Sequence, residues 1–119
     1  MSRAFVCVIV FAICAAGCSS SSSNPTNPSN PATSVSIVAN SQNLTTNAYN
    51  PNPVTIARGG TVTWVNNDTI PHTSTSDSGA WNSGNLAAGA SFSMTFPNSG
   101  SYPYHCTLHP GMVGTVTVQ

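Results

Sequence analysis

The sequence predicts an all-β protein in which two sheets of short strands pack as a β-sandwich. Three features of the 119-residue chain point to this fold. Thr, Val and scattered aromatic residues favour strands. Apolar and polar side chains alternate in several short stretches, and clusters of Gly, Pro and Asn separate those stretches. No stretch shows the 3.6-residue period of an amphipathic helix, so a sandwich is the predicted architecture.

The alternation occurs in four places, and each predicts one strand with a buried face. Side chains two positions apart lie on the same face of a strand, so Trp64 and Met94 are expected in the core and not at a functional site. Tyr102 and Tyr104 share a face and are expected to pack, whereas Trp81 lies in a Ser- and Gly-rich loop and is expected to be half buried. In chain order, the alternating apolar residues are Val35 and Ile37, Val62 and Trp64, Phe92, Met94 and Phe96, and Val116 and Val118.

Clusters of turn-forming residues separate the predicted strands. They recur at residues 51–53, 58–60, 77–79 and 98–100, between the predicted strands. The predicted strands and the turns between them all lie within residues 33–119. The folded domain is therefore predicted to cover this range, which is too short for two separate cores.

The N-terminal part of the chain has a different composition. Residues 1–17 carry Arg3 and then an apolar run that is short for a membrane span, which is typical of a signal peptide for export. The run ends in AAGC, which resembles a bacterial lipobox, so we expect a lipid on Cys18; the alternative is an ordinary signal peptide cut near Ala16. Residues 18–32 are rich in Ser, Asn and Pro and are predicted to be a linker. We therefore expect an exported protein, anchored by lipid to a bacterial membrane and facing the periplasm or the cell exterior.

Charged side chains are almost absent. The chain has two arginines and two aspartates, and no Lys or Glu. This composition excludes the basic surface of a nucleic-acid-binding protein. Docking of a partner through charge is equally implausible.

The cysteine count leaves a single cysteine, Cys106, in the predicted domain. Of four cysteines, two lie in the predicted signal peptide and one is Cys18, which leaves Cys106 alone in the domain. A single cysteine in an exported protein is a free thiol, an intermolecular bridge or a metal ligand. Cys106 is followed by His109 and Met112 in the segment YPYHCTLHPGM, so we interpret it as a ligand.

The donor atoms indicate which metal is bound. A thiolate, two imidazoles and a thioether form the trigonal copper site used for electron transfer, and the thioether argues against zinc, calcium or magnesium. His105 is next to Cys106, so on an extended strand its side chain points to the opposite face. The second imidazole is therefore expected from His72, in NNDTIPHTSTS. The predicted metal ligands are His72, Cys106, His109 and Met112, and the predicted cofactor is one type 1 copper per chain.

The segments VTWVNNDTIPH and YPYHCTLHPGM resemble the cupredoxins, the small blue copper proteins, and most closely the amicyanin, pseudoazurin and plastocyanin group. The resemblance covers roughly residues 33–119. It implies a Greek-key β-sandwich of cupredoxin type and one-electron transfer without enzymatic turnover, and it assigns the same four ligands by position.

Two positions depart from the family pattern. Relatives commonly have Asn after the first histidine ligand, where it braces the ligand loops, and this chain has Thr73. Relatives with short loops often have Pro two residues after the cysteine, and this chain has Leu108. Because Leu108 has a backbone N–H, we expect that group to point at the sulfur of Cys106.

Three classes of function remain open at this stage. The favoured class is a membrane-tethered one-electron carrier, not an enzyme. A periplasmic copper-binding protein for storage or delivery and a metal-free interaction domain are the alternatives. For the carrier, we expect a monomer whose redox partner docks on an apolar rim around His109, built from Leu108, Pro110 and Pro71.

Overall fold

The computed structural model describes residues 32–119, and strands make up nearly all of the regular structure in that range. The predicted signal peptide, Cys18 and the linker up to residue 31 lie outside the described residues. Within the described part of the chain, no helix has the length and apolar character needed to cross a membrane. The strands are β1 (Thr33–Ile37), β2 (Tyr49–Asn50), β3 (Val54–Ile56), β4 (Thr61–Asn66), β5 (Thr75–Ser76), β6 (Ser91–Thr95), β7 (Gly100–His105) and β8 (Val113–Val118), with one 3-10 helix at Ser41–Asn43.

The strands form two four-stranded sheets, which confirms the predicted β-sandwich. The first sheet has the order β2-β1-β4-β6 and the second has the order β3-β8-β7-β5. The β1–β4 and β3–β8 pairs are parallel and the remaining pairs are antiparallel. Consecutive strands often lie in different sheets, so the chain crosses repeatedly from one layer to the other.

The predicted alternation is the pattern of burial in the structure. Val35, Val62, Trp64 and Val116 are fully buried, and their neighbours along each strand are more exposed. On β6 the alternation is present but weaker, because this strand lies at the edge of its sheet and its apolar side chains are only partly buried against the core.

An aromatic cluster fills the centre of the sandwich. The ring of Trp64 contacts Tyr104 edge-on at 5.4 Å between centroids and stacks on Trp81 at 5.6 Å. The prediction that Trp81 is half buried was wrong, since it is only 5% exposed. Its indole N–H donates a hydrogen bond to Ser74 Oγ, and its ring also contacts Phe96 edge-on, so the loop that carries it is folded over the core.

The pairing of strand ends determines which loops meet. The last residues of β1 and β4 are paired, Ile37 with Asn66, so the 3-10 helix after β1 lies beside the loop after β4. At the same time His105, at the end of β7, is paired with Thr75 in β5 and with Val113 in β8. The loop before β5 therefore lies beside the loop that joins β7 to β8. These are the loops that contain the predicted ligands.

Candidate metal centre

His72 is held by backbone and side-chain hydrogen bonds in the loop between β4 and β5. Its N–H and C=O both bond to Leu86, at 3.1 and 2.7 Å. Asn66, the last residue of β4, donates from Nδ2 to the carbonyl of Ile70 at 2.8 Å and to the carbonyl of Leu86 at 2.9 Å. Because its neighbours in the loop are fixed in this way, the fully buried imidazole of His72 has a defined position.

The segment after β7 is a compact loop. The N–H of Cys106 donates to the carbonyl of Met112 at 3.1 Å, and the N–H of Met112 donates to the carbonyl of His109 at 2.9 Å. Cys106 and Met112 are fully buried, whereas His109 is partly exposed. Cys106 forms no disulfide within the described residues.

Three donor atoms from these two segments converge. The Nδ1 atoms of His72 and His109 are 3.2 Å apart. They lie 3.9 and 3.8 Å, respectively, from the Sγ atom of Cys106. Among residues 32–119, these three side chains form the one His/Cys/Asp/Glu group with the spacing of a metal site.

The spacing of the three atoms fits a trigonal metal ion. These separations are those expected between two imidazole nitrogens and a thiolate sulfur that bond one metal ion at about 2.0 Å and about 2.3 Å, so the three side chains would hold a single ion. Two imidazoles and a thiolate in a plane, with an axial thioether, form the donor set of an electron-transfer copper site. Met112, fully buried at the end of the same loop, is the thioether of this segment.

Thr73 joins the two ligand segments. Its backbone N–H donates to Cys106 Sγ at 3.3 Å, and its hydroxyl accepts a hydrogen bond from the N–H of Thr107 at 2.9 Å. Its carbonyl in turn accepts a hydrogen bond of 2.7 Å from the Tyr49 hydroxyl, whose pKa is raised by burial and, to a smaller extent, by the charges of Cys106 and Tyr104. Thr73 therefore links the two loops, with its short side chain reaching the backbone of the residue after the cysteine.

The amide expected at the sulfur belongs to a different residue from the one predicted. Within the described chain, the structure shows no hydrogen bond from the Leu108 N–H to Cys106 Sγ; the backbone N–H that contacts the sulfur is that of Thr73. The prediction from Leu108 was wrong because it considered only the turn that contains the cysteine. The actual donor comes from a segment 33 residues away.

A buried carboxylate lies behind His72, and the sequence analysis missed it. Asp68 Oδ2 is 2.8 Å from His72 Nε2, the nitrogen on the far side of the ring from Cys106. Ser41, in the 3-10 helix, contacts both groups: its Oγ is 3.0 Å from Nε2 and 3.3 Å from Oδ2. Asp68 precedes His72 by four residues, and that spacing is the only sign of the contact in the sequence.

The pKa of Asp68 is set by opposing effects. Burial raises it, but hydrogen bonds from His72 and from the backbone amides of Thr69, Asn40 and Ser41 outweigh burial. The result is a pKa well below the usual value of an aspartate, so the carboxylate is ionised at neutral pH.

His105 lies outside the cluster, as the strand alternation predicts. Its side chain pairs with Asp77 through Nδ1 and is partly exposed on the outer face of the second sheet. Trp64 is fully buried in the core, and Met94 packs against the core from the edge strand β6, so neither belongs to the site.

Apolar side chains are exposed in both segments that carry the candidate histidine ligands. Leu108 is 45% exposed, and Pro110 and Pro71 are also exposed. Asp68 is buried, so Arg58 and Asp77 are the exposed residues with formal charge in the described part of the chain.

Comparison with known proteins agrees with this geometry. The family described as copper-binding proteins of the plastocyanin/azurin type matches residues 34–119. A plastocyanin from Scenedesmus fuscus is 40% identical over 60% of this chain and 86% of its own length. An amicyanin from Paracoccus denitrificans is 38% identical over 51% of this chain, and the match spans only 50% of that protein.

Solved structures show the same similarity. A purple cupredoxin from Nitrosopumilus maritimus has a TM-score of 0.68 and 35% identity, covering 73% of this chain and 99% of the other. A copper-containing nitrite reductase from Thermus scotoductus is 23% identical and only 22% of it is covered, so its likeness is one of fold alone.

Replacing Thr73 by Val should destabilise the metal-free protein by about 1–2 kcal/mol, because the amide of Thr107 loses its acceptor in a partly buried position. The free energy of unfolding, measured by chemical denaturation, tests this. Thr107→Val is the matched control, since it removes only a hydroxyl contact of 3.3 Å and should change stability by less than about 0.5 kcal/mol. Equal losses in the two variants would show that the Thr73 hydroxyl does not link the loops.

Proposed function

The chain belongs to the plastocyanin/azurin family of copper-binding proteins, and we propose that it is a one-electron carrier whose single copper is held by His72, Cys106, His109 and Met112. The observation that carries the proposal is the convergence of the two Nδ1 atoms and Sγ at separations of 3.2–3.9 Å. The fourth ligand, Met112, is supported by its place in the ligand loop and its complete burial. Bound copper supplies the Cu(II)/Cu(I) couple.

The residues around the donors keep the site in one arrangement. Thr73 fixes the sulfur and the start of the ligand loop, and Leu86 fixes the backbone of His72. Donor atoms that are held by the protein need to move little when the metal changes oxidation state, which favours fast electron transfer over tight storage of one state. The partial exposure of His109 gives the site its closest approach to the surface.

We place the partner contact on the apolar rim defined above by Leu108, Pro110 and Pro71 around His109. Apolar patches on small soluble proteins are typical of interaction sites. The near absence of exposed charge in the described domain supports docking by apolar contact, with little electrostatic steering. The partner is a redox protein, and the carrier itself acts as a monomer without enzymatic turnover.

We place the protein outside the cytoplasm, attached to a bacterial membrane through lipid on Cys18. The support is the AAGC sequence after an apolar run, followed by the Ser-, Asn- and Pro-rich residues 18–32. A tether of this composition suits a copper domain held just clear of a membrane surface.

Copper titration tests the ligand assignment. The purified domain should bind one Cu(II) per chain and develop an intense visible band from thiolate-to-copper charge transfer, with a reversible reduction potential. Cys106→Ser should lose the band and keep the folded sandwich, as judged by circular dichroism. A colourless wild-type copper complex would contradict the assignment, and weak, labile copper without a reversible couple would favour storage or delivery.

The electron self-exchange rate of the copper protein tests the docking rim. Leu108→Glu should slow self-exchange by about tenfold at low salt, because two copies that meet through this rim would bring like charges together. Self-exchange has no driving force, so a change in reduction potential does not affect the comparison. Val113→Glu is the control: Val113 is 37% exposed and lines a groove on the second sheet with Thr46 and Asp77. Equal slowing by both substitutions would exclude the rim as the docking surface.

Cell fractionation tests the anchor. The full-length chain expressed in a bacterium should be found in the membrane fraction, with the mass of a lipid on Cys18 in the N-terminal peptide. Cys18→Ala should release the protein or leave its signal peptide uncut. A wild-type protein that is wholly soluble after signal cleavage would refute the lipid anchor.

A further inference from the structure

The carboxylate oxygens of Asp68 accept hydrogen bonds from Thr69 and Ser41 and lie beside His72. Its Oδ1 accepts from the N–H of Thr69 at 2.8 Å. Its Oδ2 accepts from both the N–H and the hydroxyl of Ser41, each at 3.3 Å, and lies 2.8 Å from His72 Nε2. The N–H groups of Thr69 and Ser41 and the Ser41 hydroxyl together donate to both oxygens, which is the hydrogen-bond arrangement that favours an ionised carboxylate.

This arrangement decides which nitrogen of His72 carries the proton. Nε2 faces a carboxylate and therefore bears the N–H that donates to it. Nδ1 is then left with a free lone pair, and this is the atom that faces Cys106 Sγ and His109 Nδ1. The loop before β5 thus presents the tautomer that a metal ion requires.

Among the described residues, no charged side chain neutralises Asp68. The carboxylate is paired with His72, which is neutral in this tautomer, and no arginine forms an ion pair with it. Asp68 and His72 are both almost completely buried, at 6% and 0% exposure, so water screens their interaction poorly. A negative charge one imidazole ring away from the metal therefore stabilises Cu(II) more than Cu(I).

We propose that Asp68, supported by Ser41, is a positioning residue for copper: through His72 it selects the metal-binding tautomer and biases the metal towards Cu(II). The proposal rests on the proposed role of His72 as a ligand through Nδ1. It adds a residue outside the four ligands that sets both the affinity and the reduction potential of the site.

The test is Asp68→Asn, with affinities for Cu(II) and Cu(I) measured by competition with chelators and the potential measured by voltammetry. The substitution removes the charge and keeps an oxygen that His72 can donate to. Cu(II) affinity should fall by about 10- to 100-fold. The loss for Cu(II) should exceed the loss for Cu(I) by about tenfold, which raises the potential by about 59 mV for one electron.

Two variants control for charge and for structure. Asp77→Asn makes the same charge change at the exposed carboxylate that pairs with His105, and it should leave the affinity ratio nearly unchanged. Asp68→Glu retains the charge and should keep the potential closer to wild type than Asn does. A shift in Asp68→Asn no larger than that in Asp77→Asn, or equal losses of Cu(II) and Cu(I) affinity, would overturn the proposal.

A measurement on the wild-type protein keeps the proposal testable if Asp68→Asn fails to fold. In the metal-free form at neutral pH, NMR should show His72 with its proton on Nε2 and none on Nδ1, and this proton should exchange with water far more slowly than a ring N–H of the partly exposed His109. An unprotonated or rapidly exchanging Nε2 would contradict it. Failure of the proposed function would appear separately, as a wild-type copper protein without the visible band or a reversible couple.

Discussion

Thr73 makes the contacts on which the arrangement of the site depends. Through its amide it reaches Cys106 Sγ, and through its hydroxyl it receives the amide of Thr107, so one residue ties the loop before β5 to the loop after β7. Two loops at the same end of a sandwich form a binding site only when the distance between them is fixed. Here the hydrogen bonds of Thr73 fix that distance. The hydroxyl of Tyr49 reaches the Thr73 carbonyl and extends the link to β2 in the first sheet.

Because the chain has few charged side chains, its one buried carboxylate has a large effect on the electrostatic field at the candidate metal site. In a protein rich in Lys and Glu, the field at a metal ion is a sum over many screened groups. In the described part of this chain there are three formally charged side chains, Arg58, Asp68 and Asp77, and only Asp68 is buried. Its neighbours are backbone amides, a serine hydroxyl and His72, all of which donate hydrogen bonds to it. The affinity of the site for each oxidation state is therefore expected to depend strongly on this one residue.

The parts of the structure that follow local rules could be predicted from the sequence. Alternation predicted the buried faces of β1, β4, β6 and β8. The same rule correctly predicted that the His105 side chain points away from Cys106 Sγ. The strands β2, β3 and β5 have only two or three residues, too few to show a period. The buried position of Trp81 depends on a loop folding over the core, which composition does not reveal.

The supporting contacts of the site could not be predicted, because they join residues distant in sequence. Ser41 meets Asp68 only because β1 and β4 are parallel neighbours whose ends coincide. The amide at the sulfur was expected from Leu108 and comes from Thr73, for a similar reason: β5 pairs with β7.

The central claim is that the hydrogen bonds of Thr73, Asn66 and Leu86 hold Nδ1 of His72, Nδ1 of His109 and Sγ of Cys106 at binding distances, so that these atoms move little when copper binds. Crystal structures of the metal-free and Cu(II)-loaded protein at one pH test it most directly. The three separations should differ between the two structures by less than about 0.5 Å, and copper should bond to those atoms. A metal-free structure in which either imidazole points away from Cys106, or a copper ion bound elsewhere, would contradict the claim.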